Sequence, residues 1–294
     1  MNTNKLILGT VQFGLNYGVN NNLGKVSEGS IRDILDLAFA RGIQILDTAE
    51  AYGNSQERIG SYHKNSDNRF DIVTKFHSAV DINSSFDIKE RILEDINILG
   101  VEGLYGYMFH SFSDFDKYFN FFKEGLIELK SKGIIKKIGV SVYTNEELEK
   151  VIETKDIALV QLPYNLLDND KLRGESIYKA KQKGIEVHTR SAFLQGLFFK
   201  PIDTFTGNLV NLKDELNKLN NLIESNQLNM ASCALNYPIS KKHIDKVLIG
   251  VDSLEQLEEN INALNITNSP SVFKKIDQIK IKDKQLLNPS LWKV

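Results

Sequence analysis

The sequence predicts an α/β fold in which buried parallel strands alternate with helices and close into a barrel. Short apolar runs with little polar alternation recur along the chain, as expected of parallel strands that are covered on both faces. Amphipathic helical segments separate these runs. Several runs end in a polar side chain, and in such a barrel catalytic groups gather where the carboxyl ends of the strands meet.

Length and composition agree with one barrel. The 294 residues are 41% hydrophobic, and one barrel of about 250 residues with appendages accounts for them, so we expect a single domain over residues 1–294. The net charge of -2 and the pI near 6.3 indicate no general attraction to nucleic acid or to an anionic membrane. The only cysteine, Cys233, excludes an internal disulfide. With no apparent signal peptide or membrane span, a cytoplasmic location is expected.

In the first third of the chain, the run from Lys5 to Thr10 is the first predicted strand, and a glycine- and asparagine-rich loop from Phe13 to Gly24 follows it. A helix is predicted from Ser27 to Arg41, because Ser27 is a suitable N-cap and apolar residues repeat on one helical face. The second strand, from Ile43 to Leu46, leads directly to Asp47.

The middle of the chain repeats this alternation. A strand from Asp71 to Lys75 precedes a helix from Ile88 to Leu99, for which Gly100 is the stop signal. The next strand, Tyr107 to His110, ends in a histidine. An aromatic-rich stretch that runs to Lys132 is predicted to be a helix packed on the barrel, because such a stripe is typical of core packing.

The last part supplies the remaining elements. The predicted strands are Lys137 to Ser141, a strand that ends at Val160 and Gln161, Ile185 to Ser191, and Lys246 to Gly250. The predicted helices are Leu212 to Glu224, Met230 to Tyr237, which Pro238 should end, and Leu254 to Leu264. Residues 198–207 are predicted to form an irregular loop over the rim.

Three successive strands end in Asp47, Lys75 and His110, and Tyr52 lies in the loop after the first of them. A buried carboxylate at a strand tip needs a cationic partner, and Lys75 is the candidate. The lysine charge is expected to lower the pKa of Tyr52 so that this tyrosine can donate a proton. A neutral His110 would hydrogen-bond the same substrate oxygen and orient a carbonyl group.

At these residues the chain resembles the aldo-keto reductase family, whose Asp, Tyr, Lys and His tetrad occurs in this order on these strands. The resemblance covers nearly the whole chain. It implies a TIM barrel, that is, a (β/α)8 barrel, that uses no metal and transfers hydride from a nicotinamide cofactor to an aldehyde or ketone. By the same resemblance Tyr52 is the general acid, Asp47 and Lys75 are its tuning pair, and His110 orients the substrate.

The resemblance also implies a set of cofactor-binding residues. Ser141 and Gln161 are expected to hold the nicotinamide carboxamide, although Val142 replaces an asparagine that is usual after that serine. The other positions that it assigns to the cofactor are Gly9, Thr10, Arg190, Ser191, Leu194, Gly196, Gly250, Ser253, Gln256, Glu259 and Asn260. Glu259 and Asn260 are expected at the adenine.

Arg190 stands where many family members have a tyrosine that stacks on the nicotinamide. Its guanidinium can stack on the cofactor, bind the cofactor pyrophosphate, or bind an acidic or phosphorylated carbonyl substrate such as a sugar derivative. The alternative is a structural ion pair with a nearby carboxylate such as Glu186.

The choice between NAD and NADP depends on Asp252. Family members that use NADPH usually carry basic residues around the 2'-phosphate, and here the corresponding positions are Gly250 and Asp252. An acidic side chain there favours NAD or dual use, unless Asp252 only caps the following helix and faces away. Both cofactors therefore remain open at this stage.

The leading functional hypothesis is NAD(P)H-dependent reduction of a small carbonyl compound. The departures at Val142 and Arg190 motivate an alternative, a regulatory protein that senses NAD(P) on the same barrel without productive chemistry.

Overall fold

The computed structural model describes residues 2–19, 21, 23–78, 82, 86–265 and 270–293. Asn20 and Asn22 of the predicted glycine- and asparagine-rich loop lie outside these ranges. Eight parallel strands close into a barrel in sequence order. They are β1 (Leu6–Gly9), β2 (Ile45–Asp47), β3 (Asp71–Phe76), β4 (Leu104–Phe109), β5 (Ile135–Ser141), β6 (Ile157–Pro163), β7 (Glu186–Arg190) and β8 (Lys246–Gly250). The predicted TIM barrel is confirmed.

Helices connect the strands and cover the outside of the barrel. They are α1 (Val11–Gly14), α2 (Glu28–Ala40), α3 (Ser55–Lys64), α4 (Ile88–Leu99), α5 (Phe112–Ser131), α6 (Asn145–Ile152), α7 (Asp170–Gln182), α8 (Lys213–Ser225), α9 (Met230–Ile239), α10 (Leu254–Ala263) and α11 (Pro270–Ile276). In the described part of the chain, no helix has the length and apolar character needed to cross a membrane.

The strands have two different buried faces, which explains why they read as continuous apolar runs. Side chains that point into the barrel form a small core of their own, made of Ile7, Ile45, Val73, Met108 and Leu159. The opposite faces pack under the helices in a much larger apolar cluster. Backbone pairing of Gly9 with both Asp47 and Gly250 joins β1 to β2 and β8, and so closes the barrel beside the predicted site.

Local signals fix most helix ends where the sequence predicts them. The Ser27 side chain caps α2 by accepting the amide of Ser30, and Gly100 ends α4 in the left-handed region at φ 65°. The prediction that Pro238 ends its helix is wrong, because α9 continues to Ile239. Pro238 lacks the N–H that would bond the carbonyl oxygen of Ala234, so the helix loses one bond there and ends one residue later. The predicted loop 198–207 includes the end of one 3-10 turn, Leu194–Phe199, and the whole of a second one, Ile202–Thr204.

Candidate active site

A buried ion pair joins the tips of β2 and β3. The Lys75 ammonium donates a short hydrogen bond to Oδ1 of Asp47, and the two side chains are 1% and 2% exposed. Lys75 also donates to the carbonyl oxygen of Thr48 at 3.0 Å, and Gln161 donates to Oδ2 of Asp47 at 2.8 Å. Both Asp47 oxygens therefore have a partner, which a buried carboxylate requires.

Tyr52 lies in the loop after β2, between this pair and His110. The Lys75 ammonium nitrogen is 5.3 Å from the centroid of the Tyr52 ring. The ring of His110, directly after β4, meets Tyr52 edge to face with centroids 5.5 Å apart. The barrel therefore brings together all four residues that the sequence grouped as a tetrad.

The expected effect of Lys75 on Tyr52 is wrong. Burial raises the pKa of Tyr52, and the charge of Asp47 raises it further, whereas the charge of Arg190 lowers it. Asp47 neutralises Lys75, so the nearby ammonium does not act as a free positive charge on the phenol. Tyr52 therefore keeps its proton at neutral pH and is available as an acid.

His110 is neutral at physiological pH. Burial lowers its pKa to about 3, and the positive charges of Lys75 and Arg190 and the neighbouring His77 act in the same direction. Its Nδ1 is buried without a hydrogen-bond partner among the described residues. The ring proton is therefore better placed on Nε2, where it can be donated to a substrate oxygen.

A cavity of about 600 Å³ opens at this end of the barrel. Of the predicted site residues, Gly9, Thr10, Asp47, Tyr52, His110, Ser141, Gln161, Arg190, Ser191, Gly196, Gly250, Gln256, Glu259 and Asn260 line it. Three predicted residues do not. Lys75 lies behind Asp47, Leu194 is fully buried in the apolar core, and Ser253 is the N-cap of α10.

Residues that the sequence did not assign to the site also line the cavity, among them Tyr17, Asn21 and Tyr143. Tyr17 accepts a hydrogen bond from Gln195 at 2.6 Å, and Asn21 donates to Asp252 at 3.0 Å. These contacts join the loop after β1 to the loops after β7 and β8. The glycine and asparagine residues between 13 and 24 indicate a loop, but they do not indicate which other segments that loop contacts.

Arg190 forms no ion pair with Glu186 or with any other carboxylate among the described residues, so that alternative is wrong. Glu186 lies at the opposite end of β7, where it bonds Lys137, Tyr105 and His188. The Arg190 guanidinium carbon instead lies 4.1 Å from the ring centroid of Tyr143.

Asp252 faces the cavity rather than away from it. It accepts the hydrogen bond from Asn21, and Ser253 caps α10 by accepting the amide of Gln256. The alternative in which Asp252 only caps the helix is therefore wrong. Burial raises the pKa of Asp252. Of the described residues that line the cavity, Arg190 is the only lysine or arginine.

The cavity fits a nicotinamide dinucleotide. Ser141 and Gln161 offer amide-binding groups beside Asp47, and Gln256, Glu259 and Asn260 of α10 line the same cavity with Gly250. On the wall between them, Oε1 of Gln12 is buried without a hydrogen-bond partner among the described residues. Such an atom is an acceptor that a bound ligand can satisfy.

Comparisons with known proteins agree on one family. The sequence model of the Aldo/keto reductase family matches residues 5–281. The chain is 26% identical over 266 residues to the uncharacterized oxidoreductase YqkF of Bacillus subtilis, covering 83% of this chain and 86% of that protein. It is 26% identical over 264 residues to the NADH-specific methylglyoxal reductase of Escherichia coli, covering 78% and 80%. The solved structure of the aldo-keto reductase AKR11C1 from Bacillus halodurans, a holo form, matches the fold with a TM-score of 0.75 at 20% identity, covering 93% and 91%.

Proposed function

This chain belongs to the aldo/keto reductase family, and we propose that it reduces an aldehyde or ketone to an alcohol with Tyr52 as the general acid. As a member of that family it is an NAD(P)-dependent oxidoreductase. The observation that carries the proposal is the convergence of Asp47, Tyr52 and His110 on one cavity, with Lys75 bound to Asp47 behind them. Tyr52 lies between the Asp47 and Lys75 pair on one side and His110 on the other.

The chemistry that we propose follows from the protonation states. A bound nicotinamide dinucleotide supplies the hydride. Tyr52, which keeps its proton because burial raises its pKa, donates that proton to the carbonyl oxygen as negative charge develops there. Neutral His110 donates a hydrogen bond from Nε2 to the same oxygen. The buried pair of Lys75 and Asp47, whose ammonium nitrogen lies 5.3 Å from the Tyr52 ring centroid, holds the wall against which the tyrosine packs.

For the cofactor site we propose Gly9, Thr10, Ser141, Gln161, Ser191, Gly196, Gly250, Gln256, Glu259 and Asn260 as lining residues, with Ser253 and Leu194 supporting them from behind. The amide nitrogen of Gln161 donates a hydrogen bond to Asp47, so the side-chain carbonyl oxygen of Gln161 is available to accept a hydrogen bond from a carboxamide. Arg190, which the sequence grouped with these residues, is stacked on Tyr143 in the same cavity as Tyr52.

We propose that NADH is preferred over NADPH. The segment from Gly250 to Asn260, to which the family resemblance assigns the adenosine, presents Asp252 and Glu259 to the cavity. A 2'-phosphate beside these carboxylates would be repelled, and this segment offers no cation to offset that repulsion. The name of the NADH-specific relative from Escherichia coli supports the same preference.

The test is fluorescence titration of the purified protein with NADH and with NADPH, followed by absorbance assays on a panel of aldehydes, ketones and sugars. We expect NADH to bind at least about tenfold more tightly, which corresponds to about 1.4 kcal/mol, and to be oxidised when a carbonyl compound is added. Tighter NADPH binding would contradict the role of Asp252. Binding without turnover of any carbonyl compound would favour the alternative of an NAD(P)-sensing regulatory protein.

A further inference from the structure

We propose that Arg190 binds a carboxylate or phosphate group of the substrate, so that the preferred substrates are carbonyl compounds with an anionic group close to the reacting carbon. This inference rests on the proposed reduction. The residue lies in the cavity that Tyr52 and His110 also line, and its positive charge lowers the pKa of both. The guanidinium is therefore within electrostatic reach of the groups that contact the carbonyl oxygen.

The Arg190 guanidinium stacks on the ring of Tyr143, whose backbone is held in place. Its carbon lies 4.1 Å from the centroid of the Tyr143 ring. The Tyr143 amide donates to the Glu147 carboxylate at 2.6 Å, and the Tyr143 carbonyl oxygen accepts from Arg173 at 2.7 Å. Because the backbone of Tyr143 is fixed on both sides, its ring orients Arg190 before any ligand arrives.

Arg173 is itself immobilised, which extends this support into the core. It makes two hydrogen bonds to Asp168, at 2.6 and 2.8 Å, and both side chains are buried. Asp168 accepts both of these hydrogen bonds from Arg173 and makes none to Arg190, whose charge acts on it only at longer range.

No other carboxylate neutralises Arg190 within the described ranges. Asp47 is bound by Lys75 and Gln161, and Arg190 itself makes no ion pair with a described residue. Its one side-chain hydrogen bond there is a long contact of 3.5 Å to Ser191. A half-buried guanidinium has five donors in a planar fork that matches carboxylate and phosphate oxygens, so most of its donors remain available to a ligand.

The chemical consequence is a charge requirement on the substrate. When the carbonyl oxygen contacts Tyr52 and His110, an anionic group a few atoms away can form a two-point contact with Arg190. A neutral carbonyl compound leaves the cation unpaired in a partly desolvated cavity. Arg190 then selects substrates, whereas the four tetrad residues carry out the reaction.

The test compares matched carbonyl pairs with NADH as the donor. One pair is succinic semialdehyde and butanal, and the other is glycolaldehyde phosphate and glycolaldehyde. We expect kcat/KM to favour the anionic member of at least one pair, and Arg190→Gln to lower that preference by about 10-fold to 100-fold, as for a charged hydrogen bond. The pair with the larger Arg190-dependent preference identifies carboxylate or phosphate as the group bound.

Two further variants sharpen the result. Arg190→Lys keeps the charge without the planar fork, so it should retain only part of the preference. Arg32→Gln removes one positive charge from an exposed position on α2 and should leave the preference as in the wild type.

A binding measurement separates this inference from the proposed function. Succinate and inorganic phosphate are titrated calorimetrically into the protein saturated with NADH, and we expect at least one to bind the wild type and to bind Arg190→Gln at least about tenfold more weakly. Such binding without turnover of any carbonyl compound would contradict the proposed reductase activity but support an anion-binding site at Arg190. Three outcomes would overturn the assignment of Arg190 to the substrate. The first is an equal preference for anionic substrates in the wild type and in Arg190→Gln, and the second is that neither anion binds. The third is that Arg190→Gln loses affinity for NADH but keeps the preference.

Discussion

Tyr52 gains its role from its surroundings rather than from a lowered pKa. Burial and Asp47 both raise the pKa of the phenol, and Arg190 is the cation that opposes them. The residue is consequently fully protonated at the start of the reaction. The sequence correctly grouped Tyr52 with Lys75, but it could not show that Asp47 removes most of the lysine's effect, because that depends on which charges touch.

Asp95 on α4 is another buried carboxylate, and it lies outside the proposed active site. Neither of its oxygens has a hydrogen-bond partner of good geometry within the described residues. Burial, and then the charge of Glu50, raise its pKa to about 8, while Arg91 opposes this shift. Glu50 takes the available partners, since it accepts from the Tyr107 hydroxyl at 3.0 Å and pairs with Arg91 at 3.3 Å.

Asp95 should make stability depend on pH. The folded-state pKa of about 8 exceeds the ordinary value of 3.8, so between these values the folded state binds a proton that the unfolded state has lost. Stability therefore falls as pH rises through this window, by at most about 1.4 kcal/mol per pH unit. Asp95→Asn mimics the protonated carboxyl and should remove this dependence.

Urea unfolding of both proteins across this pH window measures the effect. The free energy of unfolding of the wild type, relative to Asp95→Asn, should fall by on the order of 2 kcal/mol between mildly acidic and mildly alkaline pH. A difference that stays constant with pH would show that Asp95 is already ionised in the folded protein.

At the scale of elements, the short helix α1 positions the loop that carries Tyr52. A Cβ atom at Gly14 would overlap the carbonyl oxygen of Tyr52 and lie 2.9 Å from the amide nitrogen of Ser55. The end of α1 and the start of α3 therefore pack backbone to backbone, and only glycine allows this approach.

Gly14→Ala should displace Tyr52 and lower kcat by at least about tenfold, because a small misplacement of a catalytic group is costly. We also expect a loss of about 1–3 kcal/mol in the free energy of unfolding, as for overpacking. Gly29→Ala is the control, since a Cβ there meets nothing within 4 Å and the residue lies in α2. Steady-state kinetics and urea unfolding of both variants test this, and wild-type turnover in Gly14→Ala would contradict it.

Elements with strong local signals could be predicted from the sequence. Helix α4 was predicted with its observed bounds, because its apolar spacing is regular and Gly100 stops it. Helix α7 was not predicted, since its sequence is mostly polar and contains Gly174. It forms because Ile177 and Ala180 pack on the barrel, which is a tertiary effect.

At the scale of the whole molecule, barrel closure is what assembles the site. Asp47, Lys75 and His110 are far apart in the chain, yet each lies at the carboxyl end of its strand, so the fold class alone predicts that they meet. The loop contacts of Tyr17 and Asn21 could not be predicted, because they join segments more than 170 residues apart through single side chains. The single-domain organisation and the cytoplasmic location stay predictions.

The most direct test of a Tyr52-dependent carbonyl reductase is the rate of carbonyl-dependent NADH oxidation in the wild type and in Tyr52→Phe, with NADH affinity measured on the same samples. Loss of the general acid should lower kcat by about 10²-fold to 10⁴-fold, while the Kd for NADH stays within about threefold because the phenol hydroxyl acts on the substrate oxygen. Equal turnover by the two proteins would contradict the assignment of Tyr52 as the proton donor.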